Sequence, residues 1–405
     1  MKFARGATPQ YRYGQKVKPR HFAAQPKPPG RYTALVFIIL ALSFSTSLKT
    51  INQRDAATTP DGQLTTVSSR GKIGASRPTG VAANVAAGAT KKLMGSSTKD
   101  LANKALQSAP SLQSLKPAWV SLPLYTDPTN GAAQYLAANP SVNGAAYIKR
   151  MAQVPTAQWF GDWNTNVTND VDAYVSAAAA TGSVPVVVAY NIPNRDCGGY
   201  SVGGAGNITN YTQWVRQVAA GIGERPAVVI LEPDALGALD CLPASQQQER
   251  TQSIAQAVTI LKTHVHTAVY IDAGTPVWQP AKTMAARLQQ ANVAAADGFS
   301  LNVSYFATTA QNRAYGDQLS SLVGYKHYVI DTSRNGGNHA VTGMQCNPSW
   351  ASFGDTPTTN TGSALNDALL WIKIPWESDG ACDSSPGPGE PYWSYAIQLA
   401  QNAGW

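Results

Sequence analysis

Short apolar runs rich in β-branched residues recur through the later part of this chain, each closed by a polar or acidic residue. They fall at 157–161, 184–192, 227–232, 267–273, 298–303, 327–331 and 370–375. Runs of this length, bounded by Pro, Gly or other turn residues, read as buried strands. Between them apolar positions repeat at helical spacing. Trp214, Val215 and Val218 do so within 211–221, and Ile254, Val258 and Leu261 within 246–263; 280–290 and 307–320 are similar. Strands alternating with helices of ten or more residues specify βα units around a parallel sheet. Six or seven such units predict an α/β fold: a distorted (β/α) barrel with a parallel, incompletely closed sheet and its active site at the strand C-terminal ends. An open doubly wound sheet is the alternative. No GxGxxG or GxxxxGK[ST] follows a strand, which removes the usual nucleotide-binding form of that sheet.

The pattern differs before residue 117. Residues 1–31 are polar, Pro-rich and basic, and an apolar run follows at 32–44. A basic flank before an apolar run predicts either a cleaved signal peptide or an uncleaved signal anchor over 32–48, with the anchor preferred; 1–31 is then the cytoplasmic n-region. Segment 49–116 is rich in Ala, Ser, Thr, Gly and Lys and reads as a disordered linker, because it cannot bury enough surface to offset the entropy of ordering. The catalytic domain is expected at 117–405. All ten Trp lie at or beyond Trp119. The formal net charge of +8 is misleading: residues 1–116 hold 18 Lys and Arg against three Asp and Glu, whereas the remainder holds 13 against 20. The folded part is mildly acidic, so a nucleic-acid partner is not expected.

Polar residues follow successive strands: Asp162, Asp196, Asp234, Asp272, Asn302, Asp331, then Lys373, Glu377 and Asp379. Any one alone is an ordinary turn former or helix cap. A series of them along one rim is the stronger signal, because paired carboxylates in a cleft suffice to hydrolyse a glycosidic bond. None of the four cysteines lies in a CxxC pair and the five His show no ligand spacing around them, so neither a metal nor a cofactor is expected. An exported chain with an even count suggests two disulfides. Three pairings are possible; Cys197–Cys241 with Cys346–Cys382 is preferred, since each would clamp a loop after a candidate catalytic strand.

The ordered motifs WFG, YNIPxRDCGxYSxGGA, VVILEPDAL, IDAG, GFxLNVS, DTSRNGG, CNP and WIKxPxESDG resemble glycoside hydrolase family 6 across about 117–405. That family contains secreted cellulases, endoglucanases and cellobiohydrolases, that cleave β-1,4-glucan with inversion. The resemblance implies roles residue by residue. Asp234 matches the general acid, Asp196 the aspartate that supports it and helps handle water, and Asp379 the base. Asp272 matches a further cleft aspartate. Lys373 and Glu377 match sugar-binding positions, Tyr190 a residue under the distorted sugar, and Ser201 a mobile-loop contact. Asn302 is grouped with the substrate-binding set, and Trp159, Trp278 and Trp350 match stacking platforms. The family's cysteine pairing agrees with the preferred one.

Two departures stand out. Thr275 replaces the family's common His after DAG, and Trp376 stands where Gly is common, which would add a stacking surface or narrow a subsite. Only 338–345 separates DTSRNGG from CNP, and no carbohydrate-binding module is evident. The compact domain therefore predicts an open cleft, and endo action on soluble or amorphous β-glucan by a monomer, secreted or tethered to the outer face of the cell membrane. The alternatives are a cellobiohydrolase, or a catalytically weak surface glucan-binding protein.

Overall fold

The β-branched runs form seven strands in one sheet, and their order across the sheet is their order along the chain. A computed structural model describes residues 116–337, 339 and 345–405. The expectations for 1–31, 32–48 and nearly all of 49–116 lie outside these residues. Among the described residues no helix is long and apolar enough to cross a membrane. In chain order the elements are α1 (Gly131–Ala138), α2 (Ala145–Met151), β1 (Gln158–Phe160), α3 (Val167–Ala180), β2 (Val186–Ala189), α4 (Ile208–Ile222) and β3 (Ala227–Leu231). There follow α5 (Ala244–Leu261), β4 (Thr267–Asp272), α6 (Ala281–Gln290), β5 (Gly298–Leu301), α7 (Thr309–Leu322), β6 (His327–Asp331), β7 (Asn366–Leu370) and α8 (Trp393–Asn402).

Every neighbouring pair is parallel. A strand order that never reverses has no switch point, which removes the doubly wound alternative. The sheet curls into a distorted, incompletely closed barrel. At the seam, β1 meets the segment after β7 through two bonds. The Ala157 backbone N–H donates to the Trp371 carbonyl (3.0 Å), and Trp159 Nε1 donates to the Ile372 carbonyl (2.8 Å).

Period-two alternation sorts the strand side chains. Val187, Ala189, Val229, Leu231, Val269 and Ile271 join the outer core with α3 to α7. Val186, Val188, Val228, Ile230, Ala268 and Tyr270 fill the barrel interior. Burial on both faces is why these strands read as unbroken apolar runs. Trp119 belongs to the interior core, and its Nε1 donates to the Tyr270 hydroxyl (3.2 Å). That hydroxyl in turn donates to Asp367 (2.6 Å), whose other oxygen meets His327 Nδ1 (2.8 Å).

This network explains the one strand misplaced from sequence. The last strand was expected at 370–375 but runs Asn366–Leu370. Its first two residues are polar yet fully buried, so an apolar-run criterion starts it too late. Helix α3 also went unread, although Val167, Val171 and Val175 carry the i, i+4 spacing of its buried face.

A third core joins α1, α2 and α8 to the chain after β7. Trp376 belongs to it. It is 3% exposed, stacks on Trp393 (6.0 Å, 14°) and fills the space left by Gly131, where a β-carbon would lie 2.8 Å from its Nε1. The expected stacking surface or narrowed subsite is therefore corrected: this ring is interior packing beneath the loop that carries Glu377 and Asp379. Trp376→Ala is expected to lower unfolding free energy by about 3–5 kcal/mol, measured by urea denaturation. A loss under about 1 kcal/mol would contradict the interior assignment.

Candidate active site

Strands that end at a rim leave backbone N–H groups that need acceptors. Here three buried carboxylates take them, each reaching an adjacent strand end. Glu232, after β3, accepts from the N–H of Asn191 at both oxygens and from Ile192 at one (3.0 Å each), tying β3 to β2. Asp272, at the end of β4, accepts from Asp234 and Gly274 at Oδ1 (3.0 Å each) and from the Ser300 hydroxyl at Oδ2 (3.1 Å), tying β4 to β3 and β5. Asp331, ending β6, accepts from Ser333 (2.9 Å) and Ile372 (3.2 Å) at Oδ1 and from Ser304 (3.1 Å) and Lys373 (2.9 Å) at Oδ2. It thereby ties β6 to the segments after β5 and β7.

Each bond to a charged acceptor contributes about 1.5–3 kcal/mol, so three or four of them offset a burial penalty of several kcal/mol per ion. The offset is incomplete: burial leaves all three carboxylates raised, Asp331 included. Burial raises Glu232 to about 7 and Asp272 to about 6, against the lowering effect of these donors. Glu232 has no role in the sequence reading, and Asp331 has no role beyond membership of the rim series. Glu232 is nonetheless visible as an acid inside an apolar run, where only a paired carboxylate is tolerated.

Left-handed backbone clusters on the same rim. Asp196 (φ 57°), Cys197 (48°), Glu232 (52°), Asp234 (70°), Asn302 (67°) and Ser304 (66°) all adopt it. Each costs of order 1–3 kcal/mol and persists only where surrounding bonds over-determine it. At Asp234 and Ser304 the carboxylate-to-amide bonds supply that constraint.

Asp234 sits at the centre of this rim. Its backbone N–H is held by Asp272, but its Oδ1 has no hydrogen-bond partner. Burial, then the negative charges of Asp272, Asp196 and Asp379, push its carboxyl well above the usual carboxylate range. It nevertheless keeps an edge open to solvent. A protonated carboxyl at an open edge is a proton donor.

Asp379 is built the opposite way. Burial would raise it, but the adjacent Arg334 and Lys373 cations outweigh that and hold it below the usual range. Arg334 Nη1 donates to its Oδ2 (2.8 Å), as does the Asn347 N–H (3.0 Å). Burial lowers Lys373, opposed by Asp379 and Glu377; burial also raises Glu377 to about 7, opposed by Lys373.

Asp196 lies on the turn after β2, half-buried, with the Ser201 N–H donating to its Oδ2 (2.6 Å). Arg195 braces this turn, donating from Nη1 to Asp162 (3.0 Å) and the Tyr190 carbonyl (2.9 Å), and from Nε to the Ser201 carbonyl (2.8 Å). Its guanidinium lies 4.6 Å from the Tyr190 ring centroid, and that ring meets Trp159 edge-on at 5.2 Å.

The remaining sequence-predicted residues divide. Trp159 and Trp278 are half-buried; Trp278 packs over Gly237 and Gly274 and tilts against Tyr305 at 5.5 Å. Tyr305 was not singled out in the sequence, yet after burial the charges of Asp234, Asp272 and Asp196 all raise it, which places it beside the acids. Asn302 is fully buried and its amide is spent on protein. It donates to the Asp331 carbonyl (3.0 Å) and the Tyr305 carbonyl (3.3 Å), and accepts from Ala307 (3.1 Å) and Thr275 (3.3 Å). Its expected substrate contact is therefore replaced by a loop-holding role, and the fully buried Asp272 likewise braces Asp234 from beneath.

Trp350 faces His339 (4.9 Å) and lines a cavity of about 360 Å³ with Gly336, Gly337, His339, Ser349, Ser352 and Asn402. Cys197 pairs with Cys241 and Cys346 with Cys382, anchoring the loops that carry Asp196 and Asp379. Among the described residues no group of three or more His, Cys, Asp or Glu is placed to hold a metal ion.

Comparison with known proteins follows the same lines. A family profile described as Glycosyl hydrolases family 6 matches residues 116–403. Endoglucanase 1 of Streptomyces halstedii is 44% identical over 291 residues, covering 70% of this chain and 89% of that protein. Endoglucanase A of Thermobispora bispora is 46% identical over 288 residues, covering 69% of this chain and 62% of that protein. A solved structure of the endoglucanase Cel6 from Mycobacterium tuberculosis, in complex with methyl-cellobiosyl-4-deoxy-4-thio-β-D-cellobioside, aligns with a TM-score of 0.69 at 43% identity. The alignment covers 71% of this chain and 99% of that one.

One prediction follows from the Glu232 bonds, which hold the turn leading to Asp196 while its own left-handed backbone leads to Asp234. Glu232→Gln keeps the size but replaces one acceptor oxygen by an N–H donor. Its kcat on carboxymethylcellulose is expected to fall about 10- to 100-fold, with KM within about threefold. A variant with wild-type kcat would contradict the positioning role.

Proposed function

This chain belongs to glycosyl hydrolases family 6 and is a glycoside hydrolase; we propose that it cleaves internal β-1,4-glucosidic bonds of a β-glucan with inversion at the anomeric carbon. The observation that carries this reading is the contrast between two carboxyls: Asp234 unpartnered and raised, Asp379 ion-paired and lowered.

Asp234 enters the reaction protonated and donates to the glycosidic oxygen as the bond lengthens. Positive charge then develops on the sugar ring, and the carboxylates around Asp234 stabilise it electrostatically. Water attacks from the opposite face and loses its proton to Asp379. Held low by Arg334 and Lys373, Asp379 is a weak base. A weak base suffices against an oxocarbenium-like centre, which needs little nucleophile activation. Asp196 helps orient that water and adds to the field that keeps Asp234 protonated. Trp159 and Trp278 offer ring faces to glucose, Tyr190 lies beneath the reacting sugar, and Lys373, Glu377 and Ser201 meet its hydroxyls.

Both curated relatives above are endoglucanases by name, and only the eight residues 338–345 separate DTSRNGG from CNP, so endo action is preferred to cellobiohydrolase action. The weak-binder alternative rested on Thr275 and Trp376. Thr275 is fully buried against Asn302 and Trp376 is interior packing, and the aspartates of the rim are all present, which supports the hydrolase over the weak binder. The substrate class is a soluble or amorphous β-1,4-glucan, and the chain works as a monomer. Two disulfides fit an oxidising compartment, which supports action outside the cell, the chain being secreted or tethered through the 32–44 run.

Asp234→Ala is expected to lower activity on carboxymethylcellulose at least ~100-fold, and wild-type product followed by NMR should appear first as the α-anomer. Activity within about tenfold of wild type, or a β-anomer product, would contradict the assignment. The pH profile gives a second check. Activity needs Asp379 ionised and Asp234 protonated, so the lowered Asp379 sets the acidic limb and the raised Asp234 the basic limb. Asp272→Asn removes a negative charge beside Asp234 and lets its pKa fall. The basic limb is therefore expected to move to lower pH by about one unit. An unmoved limb would contradict the charge coupling.

A further inference from the structure

Asp196 and Asp234 each occupy the third position of a four-residue turn. The Cys197 N–H donates to the Asn194 carbonyl (3.3 Å) and closes the first turn; the Ala235 N–H donates to the Glu232 carbonyl (3.2 Å) and closes the second. Both aspartates have left-handed backbone, as do Asn194 (φ 56°) and Glu232 (φ 52°) at the head of each turn. Turns built this way hold their shape only where bonds from outside fix them.

One side chain reaches both turns. Arg250, buried on α5, donates from Nη2 to the carbonyls of Pro193 (2.9 Å) and Asn194 (2.8 Å), and its Nη1 meets the Ala235 carbonyl at 3.5 Å. It therefore holds the oxygen that opens the Asp196 turn and the oxygen that ends the Asp234 turn. Glu232 serves the same approach from the opposite polarity. It takes the N–H groups of Asn191 and Ile192, while Arg250 supplies the carbonyls of the next two residues. Burial lowers the Arg250 pKa, and the nearby acids Glu232, Tyr190 and Tyr211 oppose that. A guanidinium out of water is costly unless its donors are met, and its planar fork can meet several carbonyls at once.

We propose that Arg250 is a positioning residue: by clasping both turns from the helical layer, it sets how closely the Asp196 carboxylate stands to Asp234. This rests on the hydrolase reading above, in which Asp234 is the acid and Asp196 supports it. The Cys197–Cys241 disulfide also links the two loops, but it grips the second at Cys241, well beyond the Asp234 turn. Every bond of Arg250 named above goes to backbone, so it acts through the aspartates. Asp196 is one of the charges that raise Asp234, along with Asp272 and Asp379. With the clasp lost, the negative charge of the rim drives the Asp196 turn outward and that contribution shrinks.

The test titrates the Asp234 carboxyl by carbon-13 NMR in the full chain. The variants are Arg250→Lys, which keeps the charge but loses the fork, Asp196→Asn, and the two combined. Arg287→Lys is the control. Arg287, buried on α6, donates to the carbonyls of Leu236 (2.7 Å) and Gly237 (3.1 Å) and to the Asp240 carboxylate, all on the Asp234 side. Arg250→Lys should lower the Asp234 pKa by about half a unit or more. Once Asp196→Asn has removed the charge whose distance is at issue, Arg250→Lys should lower it no further. Arg287→Lys should move it less than half as far as Arg250→Lys does. Arg250→Gln, neutral and so less costly to bury, gives a second reading and should show the same pattern.

On carboxymethylcellulose, kcat of Arg250→Lys should fall about tenfold, with KM within about threefold. An unmoved Asp234 in both Arg250 variants, a full further shift in the Asp196→Asn background, or an equal shift in Arg287→Lys would overturn the proposal. The titration reads charge and position whether or not glucan is cut. A wild type that releases no reducing ends would sink the hydrolase reading, whereas an active wild type with any of those three titration results would sink the positioning role alone.

Discussion

The buried carboxylate that accepts backbone N–H groups from the next strand end is the interaction on which the rest of this structure depends. Glu232, Asp272 and Asp331 make it at the rims of β3, β4 and β6, and between them they reach the ends of β2, β3, β5 and β7. A parallel sheet leaves its strand ends pointing one way with unmet polar groups, and an incompletely closed barrel has a seam as well. These carboxylates meet the rim groups from inside. They also fix left-handed turns at Asp234 and Ser304 that would otherwise be too costly to keep.

The same arrangement creates the reactive acid by omission. Asp234 lies among carboxylates that have donors, and its own Oδ1 has none. Burial with no donor, close to Asp272, Asp196 and Asp379, favours its neutral form. Asp379 stands in a comparable setting but is given Arg334 and Lys373, which favour its charged form. Two aspartates on one rim are thus driven to opposite protonation states by their neighbours. That division lets one site hold an acid and a base together.

Much of this was legible in the sequence, for identifiable reasons. Strands buried on both faces are continuous β-branched runs, so six of the seven were located by that criterion alone. β7 was displaced because Asn366 and Asp367 open it, and their burial is made possible by Tyr270 and His327, which are distant in sequence. The acidic rim was visible as a series, but spacing alone gave no division of labour within it; the acid, base and supporting roles came from the family resemblance. Asp272 and Asn302 are bracing groups and Glu232 had no role, because burial and hydrogen-bond partners decide such matters and spacing does not. Trp376 was misread for the same reason: its partners, Gly131 and Trp393, come from distant helices.

The central claim is that neighbours, not residue type, set these two aspartates to opposite states in the free protein. Carbon-13 NMR of aspartate carboxyls through a pH titration measures it directly, with Asp234→Asn and Asp379→Asn assigning the two signals by their loss. The account predicts that Asp234 titrates above the ordinary carboxylate range while Asp379 titrates below it. Asp234 titrating at or below its ordinary value, or Asp379 above it, would contradict the account.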